Sequence, residues 1–145
     1  FENKFEVLKL ASIIEEEASL ADERKIIASV FINRLKKKMK LQSDPSVIYG
    51  ITRGEYNLGR GLFLSELRNL TPWNTYKIKG LPLTPISNPG EASIYAATNP
   101  ALTDFLYFVA NGSGGHWFAK SYKKHTENVK KWRKIEEQRK NESDD

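Results

Sequence analysis

Cysteine and long apolar runs are both absent from this chain of 145 residues. Without cysteine there is no disulfide, no thiolate metal ligand and no cysteine nucleophile. No apolar run reaches the length of about 18 residues that a membrane-spanning helix needs, so none is expected within this sequence. A chain of this length is expected to form one domain around a single core. The lack of cysteine fits either a cytoplasmic or an extracytoplasmic location.

Patterns that bind metals or phosphates are scarce as well. The two histidines, His116 and His125, lie on different predicted elements and have no companion at ligand spacing. The glycine-rich stretch 112–115 joins two predicted strands instead of opening a helix, so it is interpreted as a turn. No nucleophile elbow is present. We therefore expect no metal and no cofactor.

Negative charge is in deficit, since the formal net charge is +5 at pH 7. The excess of lysine and arginine is concentrated in residues 34–40 and 120–140. Such clusters attract polyanions such as nucleic acid, an anionic membrane surface or a cell-wall polymer. Ordinary solvated helix faces explain them equally simply. No nucleic-acid-binding motif accompanies them, and no nucleic-acid partner is expected.

Helical periodicity dominates the first third of the chain. Residues 3–19 predict a first helix, and a second is expected to begin at an N-cap, Asp22, and to end near residue 35. The link is short, so the two should pack against each other. Asp44 before Pro45 predicts the N-cap of a third helix that ends at Gly50.

The remainder mixes loops, short helices and one hairpin. Residues 51–62 predict a loop, and Ser65 is expected to cap a short helix over 66–69. The proline-stiffened segment 71–90 is predicted to form the second wall of a cleft. A helix is expected over 91–98, a β-hairpin from strands 104–110 and 116–119, and a basic closing helix over 121–139.

Three adjacent carboxylates, Glu15, Glu16 and Glu17, end the first predicted helix. At about 100° per residue, Glu16 projects away from the apolar stripe, whereas Glu15 and Glu17 lie on its two flanks. A carboxylate between core and cleft can have a pKa raised toward neutrality, which suits a general acid. Periodicity excludes Glu16 and leaves Glu15 and Glu17 equally placed. The stripe comprises Val7, Leu10, Ala11, Ile14 and Ala18.

Sugar-binding side chains are plentiful on the predicted loops, where amides and hydroxyls lie near tryptophan. Glycoside hydrolysis normally needs two carboxylates, and few lie near the predicted cleft. Asp44 is the obvious second candidate, although its place before Pro45 is equally explained by capping. One acid suffices if the substrate supplies its own nucleophile, as a muramic acid residue can through its 6-hydroxyl. The candidate contacts are Gln42, Ser43, Tyr49, Trp73, Asn74, Tyr76, Asn88, His116 and Trp117.

Eight ordered motifs resemble the YceG-like family, the MltG-type endolytic murein transglycosylases. They are LASIIEEE at 10–17, ASVFINRL at 28–35, LQSDPSVIYG at 41–50, WNTY at 73–76, GLP at 80–82, NPG at 88–90, LYFVA at 106–110 and GGHWF at 114–118. The match extends from about residue 8 to residue 130. Three positions depart from the family pattern: Trp73 stands where tyrosine is common, Leu83-Thr84 replaces Pro-Gly, and Lys38 replaces a frequent glycine.

The resemblance implies an enzyme that cleaves the MurNAc–GlcNAc β-1,4 bond of nascent glycan strands and leaves 1,6-anhydro-MurNAc ends. The family's catalytic glutamate maps onto Glu17, which leaves Glu15 a supporting role. We assign substrate binding to Gln42, Ser43, Tyr49, Trp73, Asn74, Tyr76, Asn88 and His116. Two alternative hypotheses remain. One is a hydrolytic muramidase, with Asp44 or Glu15 as the second carboxylate, and the other is a non-catalytic glycan-binding module.

The expected fold is a predominantly helical, lysozyme-like α+β domain with a small β-hairpin. We expect residues 1–140 to form the catalytic domain of a longer, membrane-anchored protein, with 141–145 as a frayed tail. The resemblance further implies peptidoglycan strands as substrate and the extracytoplasmic face of the bacterial cytoplasmic membrane as location. Cell-wall synthases and divisome or elongasome proteins are the expected protein partners, with contact to the membrane through an N-terminal anchor.

Overall fold

The computed structural model of the chain describes residues 3–143, which form six α-helices and one antiparallel hairpin. The predicted α+β class, mostly helical with a small hairpin, is confirmed. No helix among these residues has the length and apolarity to cross a membrane. The elements are α1 (Lys4–Glu17), α2 (Arg24–Lys36), α3 (Asp44–Thr52), α4 (Leu64–Arg68), α5 (Glu91–Thr98), β1 (Tyr107–Ala110), β2 (His116–Ala119) and α6 (Tyr122–Ser143).

Helix α1 is the centre of the fold, and its buried surface is wider than the predicted stripe. The buried residues run consecutively through Leu10, Ala11, Ser12, Ile13 and Ile14. The burial of Ser12 and Ile13 arises because α2, α3 and α5 pack around the helix. The Ile86 N–H donates to Ser12 Oγ at 3.0 Å, and this bond fastens the proline-rich segment to α1. A helix enclosed on several sides no longer follows a one-sided amphipathic pattern.

The link between α1 and α2 differs from the prediction, because Asp22 is not an N-cap. Residues Ala21–Glu23 form a 3₁₀ turn, and Glu23 precedes α2 with a helical backbone and no side-chain capping bond. The extended residue that begins this turn is Leu20. The 3₁₀ turn therefore leads directly into α2, and Asp22 lies within this turn instead of capping the helix.

Two other predicted caps are also wrong. Ser43, not Asp44, is the extended residue before α3, so Asp44 belongs to the first helical turn. The helix continues past Gly50 and ends at Thr52. Helix α4 begins ahead of Ser65, and the Glu66 carboxylate accepts the Phe63 N–H at 2.8 Å. In both helices the start lies one residue or more from its predicted place, which is the common uncertainty of helix ends.

The hairpin closes one side of the domain and is confirmed, although β1 begins at Tyr107 and not at residue 104. The strands pair antiparallel, with Phe108 opposite Phe118. The Phe108 ring meets Phe31 of α2 edge-on at 5.7 Å between centroids. Helix α6 packs against both strands and continues to Ser143, past the predicted domain end at residue 140. Residues 144 and 145 of the predicted tail lie outside the described residues.

Lys38 lies two residues past the end of α2, in the left-handed region with φ of 59°. A side chain destabilises this conformation, so Lys38→Gly should raise the free energy of unfolding by about 0.5–1 kcal/mol. Urea unfolding would measure the change. The control is Lys130→Gly, an exposed position in the middle of α6, which should lower stability by about 1 kcal/mol. A lower unfolding midpoint for Lys38→Gly than for the parent chain would contradict this account.

Candidate active site

A cleft of ≈ 300 Å³ opens between the last turn of α1 and helix α6. It draws its walls from α1, α2, the start of α3, the 71–90 segment, β1 and α6, so distant parts of the chain meet there. The lining residues are Glu17, Val30, Arg34, Leu41, Gln42, Asp44, Tyr76, Phe108, Val109, His125 and Val129.

Glu17 is the last residue of α1 and lies partly buried at the cleft. Burial raises the pKa of its carboxyl from 4.5 to about 7, and the charges of Asp44 and Glu16 add to the rise. A hydroxyl hydrogen bond from Ser43 Oγ to Glu17 Oε1, at 3.0 Å, opposes the rise in this pKa. Near neutral pH the carboxyl is therefore present in both protonation states. Glu16 is exposed, as the periodicity predicted.

Ser43 is held in place by buried hydroxyl groups. Its N–H donates to Thr75 Oγ1 at 2.8 Å, and its carbonyl accepts the Ser46 hydroxyl at 2.7 Å. The Ser46 and Thr75 hydroxyls also bond to each other at 2.8 Å. All three residues are at most 1% exposed. This network fixes the backbone of Ser43 so that its hydroxyl reaches Glu17.

Asp44 places a second carboxylate in the cleft. It is exposed, and the Tyr76 hydroxyl donates to its Oδ1 at 2.5 Å. Burial, together with this bond to Asp44, raises the pKa of Tyr76 above its ordinary value. Since Asp44 does not cap α3, its carboxylate is available to the cleft. The sequence left this residue open between a cap and a second acid.

Arg34 and His125 also line the cleft, and neither was predicted as a site residue. Arg34 is only 7% exposed, and His125 stacks on the Tyr107 ring with centroids 4.9 Å apart. Burial and the charge of Arg34 lower the pKa of His125. A signal for Arg34 existed, because it continues the apolar helical spacing of Ile27, Val30 and Phe31. An arginine in such a stripe must either be paired or line a cavity.

Glu15 points away from the cleft. Its Oε1 accepts the Gly90 N–H at 2.6 Å and the Ser93 hydroxyl at 3.4 Å. These bonds lie at the N-terminus of α5, where a carboxylate also complements the helix dipole. Glu15 thus joins α1 to α5.

Five other residues that were assigned to substrate binding do not line the cleft, and neither does Trp117. Trp73 is 6% exposed, and its Nε1 donates to Thr84 Oγ1 at 2.9 Å. Tyr49 meets the Trp73 ring edge-on at 5.8 Å. His116 pairs with Glu23 at 2.8 Å between Nδ1 and Oε1, which ties the hairpin to the α1–α2 link. The remaining two are Asn74, which is buried, and Asn88, which is exposed in the loop before α5.

Asn74 supports the cleft wall from behind. Its side-chain amide donates to the carbonyls of Leu67 and Asn69 at 3.0 and 2.7 Å, at the end of α4. Its Oδ1 accepts the Tyr76 N–H at 2.9 Å. Gln42, Ser43 and Tyr76 are therefore the predicted contact residues that the structure brings to Glu17. Within residues 3–143, no cluster of three or more carboxylates and histidines is arranged to hold a metal ion.

Comparison with known proteins places these residues in a family context. The model of the YceG-like family matches residues 2–131. The chain is 46% identical over 126 residues to the endolytic murein transglycosylase of Bacillus subtilis (strain 168), covering 87% of this chain and 34% of that protein. It is 35% identical over 130 residues to the endolytic murein transglycosylase of Streptococcus pneumoniae serotype 2, covering 86% and 23% respectively.

A solved structure is also similar. The crystal structure of a yceG-like protein from Listeria monocytogenes superposes with a TM-score of 0.78 at 43% identity. The match covers 85% of this chain and 39% of that protein. The chain therefore spans about a third or less of the length of the two curated relatives, at 34% and 23%.

Glu17 should make the stability of the protein depend on pH. Its pKa is about 7 in the folded chain against 4.5 in the reference state, so the folded chain binds more protons between these values. Stability should therefore fall as pH rises from about 4.5 through about 7. Glu17→Gln keeps the acceptor for Ser43 and removes the charge. It should stabilise the chain at pH 8, by at most about 3.5 kcal/mol at about 1.4 kcal/mol per pKa unit, and much less near pH 4.5.

Urea unfolding at both pH values measures this effect, and Glu16→Gln is the matched exposed control. For Glu16→Gln, the difference in unfolding free energy from the parent chain should not grow comparably between the two pH values. An equal effect of Glu17→Gln at both pH values would mean that Glu17 titrates as an ordinary exposed carboxylate.

Proposed function

The chain belongs to the YceG-like family, and we propose that it is the catalytic domain of an endolytic peptidoglycan lytic transglycosylase. The observation that carries this proposal is Glu17, a carboxyl at the cleft whose pKa is raised to about 7 by burial. Such a group can donate a proton and then accept one near neutral pH. The names of the two curated relatives, both endolytic murein transglycosylases, support the same reaction and substrate.

In the proposed reaction, Glu17 first acts as the acid. It donates its proton to the oxygen that joins C1 of MurNAc to C4 of GlcNAc, and the bond from C1 to this oxygen breaks. The GlcNAc residue leaves with a C4 hydroxyl. The C6 hydroxyl oxygen of MurNAc then bonds to C1, while the Glu17 carboxylate takes the hydroxyl proton. The product is a 1,6-anhydro-MurNAc end, no water is consumed, and Glu17 returns to its acid form.

Three neighbours would assist Glu17. Ser43 orients the carboxyl through its hydroxyl and stabilises the carboxylate that forms after proton donation. Gln42 and Tyr76, which line the cleft, would bind hydroxyl or N-acetyl groups of the sugars. Asn74 and Trp73 would affect catalysis indirectly, because they pack behind the residues that line the cleft.

The wider setting follows from the family resemblance. The substrate is the peptidoglycan strand, met at the extracytoplasmic face of the bacterial cytoplasmic membrane. An N-terminal anchor outside this sequence would hold the enzyme there, in reach of cell-wall synthases and of divisome or elongasome proteins. The two curated relatives are about three to four times as long as their matched parts, which leaves room for such segments.

Removing the acid should remove the activity. Glu17→Gln should lower the release of soluble fragments from purified sacculi by about 10²–10⁴-fold, because the amide cannot transfer the proton. Glu16→Gln, the same change at the neighbouring exposed residue, should retain the parent rate. Equal rates for Glu17→Gln and the parent would refute Glu17 as the acid. Sacculi that bind to the parent chain but are never cut would instead indicate a non-catalytic glycan-binding module.

A hydrolytic muramidase is the second candidate, and the position of Asp44 in the cleft favours it. A retaining or inverting hydrolase needs a second carboxylate near the acid, and Asp44 influences the pKa of Glu17. The two reactions differ by one water in the product.

Mass spectrometry of the released fragments should show anhydro ends without added water. Asp44→Asn should keep forming them, because the substrate's C6 hydroxyl is the nucleophile. Fragments with added water, lost in Asp44→Asn, would establish the hydrolase and overturn the transglycosylase.

A further inference from the structure

Arg34 is a buried cation in the cleft without an acidic partner. It is 7% exposed, and among residues 3–143 no carboxylate forms an ion pair with it. Its donors meet neutral oxygens instead. Nε donates to the Leu106 carbonyl and Nη1 to the Lys40 carbonyl, each at 2.7 Å, and Nη1 also approaches Gln42 Oε1 at 3.5 Å. A buried charge is normally paired, so this arginine lacks a counterion.

One end of the guanidinium is left for a ligand. Nη2 makes no hydrogen bond within the part of the chain that the structure describes. The Tyr107 ring lies over the guanidinium, 5.1 Å from its carbon to the ring centroid. The N–H bonds of Nη2 lie in the guanidinium plane, so a hydrogen-bonding ligand meets Nη2 in that plane. That direction suits a carboxylate, whose oxygens accept hydrogen bonds in this plane.

The charges around the cleft are unevenly distributed. The charges that act on Glu17 are negative, from Asp44 and Glu16. Arg34 instead acts on His125, which its charge helps to keep neutral. Arg34 is therefore the positive group of the cleft, and it is fixed by two backbone carbonyls. A rigid, partly desolvated guanidinium binds an anion with little loss of side-chain entropy.

We propose that Arg34 forms a subsite for a carboxylate of the substrate, an assignment that rests on the proposed function. The sugar rings of the glycan strand carry hydroxyl and N-acetyl groups, which have no charge. Carboxylates occur on the lactyl group of MurNAc when it bears no peptide, and on the peptide stem when it does. The subsite recognises this shared chemistry, and it makes Arg34 a substrate-binding residue that takes no part in proton transfer.

The test compares soluble tetrasaccharide fragments of peptidoglycan in two pairs. One pair carries the peptide stem, with its carboxylates free or converted to primary amides. The other pair has no peptide, with the lactyl carboxylate free or amidated. Binding is measured by calorimetry to the Glu17→Gln chain, which does not cut the fragments, with and without Arg34→Gln.

Amidation should weaken binding by about 10- to 100-fold in at least one pair, and Arg34→Gln should abolish that difference. A difference confined to the peptide pair identifies the stem as the source, and one confined to the peptide-free pair identifies the lactyl group. Equal binding of free and amidated fragments in both pairs overturns the subsite. So does a difference that survives unchanged in Arg34→Gln.

Arg34 also bonds to two carbonyls, so Arg34→Gln has to be checked for folding by its thermal transition. If it does not fold, Arg34→Lys replaces it, since lysine keeps the charge without the planar fork. Arg34→Lys should reduce the discrimination against amides, and an undiminished ratio overturns the subsite. Because the readout is binding, failure of the subsite leaves the cleavage of sacculi by the parent chain untouched. Failure of the proposed reaction appears only in that cleavage assay.

Discussion

Over the last turn of α1, the surroundings of the helix change from the buried core, at Ile14, to the cleft, at Glu17. Because the preceding residues are enclosed by three other helices, α1 cannot rotate or slide without breaking the core. The carboxyl of Glu17 is therefore held at the border between core and solvent. Burial raises its pKa, and the hydroxyl of Ser43 limits the rise. The chemistry of the cleft depends on this balance between desolvation and one hydrogen bond.

Three consecutive glutamates serve three different purposes because each residue turns the helix by about 100°. Glu15 holds the N-terminus of α5, Glu16 is solvated, and Glu17 faces the cleft. The same carboxyl group thus becomes a helix anchor, a surface charge or the proposed proton donor according to what packs beside it. A cation, Arg34, lines the same cleft without forming an ion pair with any carboxylate of the described residues.

Helix positions were predictable from the sequence because periodicity and breakers act locally. Helix α5 lies at its predicted place, and the hairpin strand of residues 116–119 was predicted with its observed bounds. The caps at Asp22, Asp44 and Ser65 were wrong, since Asp and Ser can serve a cap or a first turn, and the neighbouring backbone decides between these. Trp73 was expected at the cleft but lies buried behind it, where Thr84 accepts its Nε1–H. An exposed aromatic platform and a core aromatic look alike in sequence.

By itself, the sequence predicted that a helix ends in three glutamates, that Glu16 is solvated, and that Glu15 and Glu17 lie on the two flanks of the apolar stripe. These conclusions need only the helical repeat. The resemblance to the YceG-like family favoured Glu17 over Glu15, but the physical difference between them arises from tertiary structure, because the two flanks are covered by Gly90 and Ser43, which lie far apart in the chain. The same holds for Arg34, whose neighbours come from β1, α6 and the loop before α3. A local repeat orients a side chain, but only packing decides whether it meets a helix terminus, solvent or a substrate.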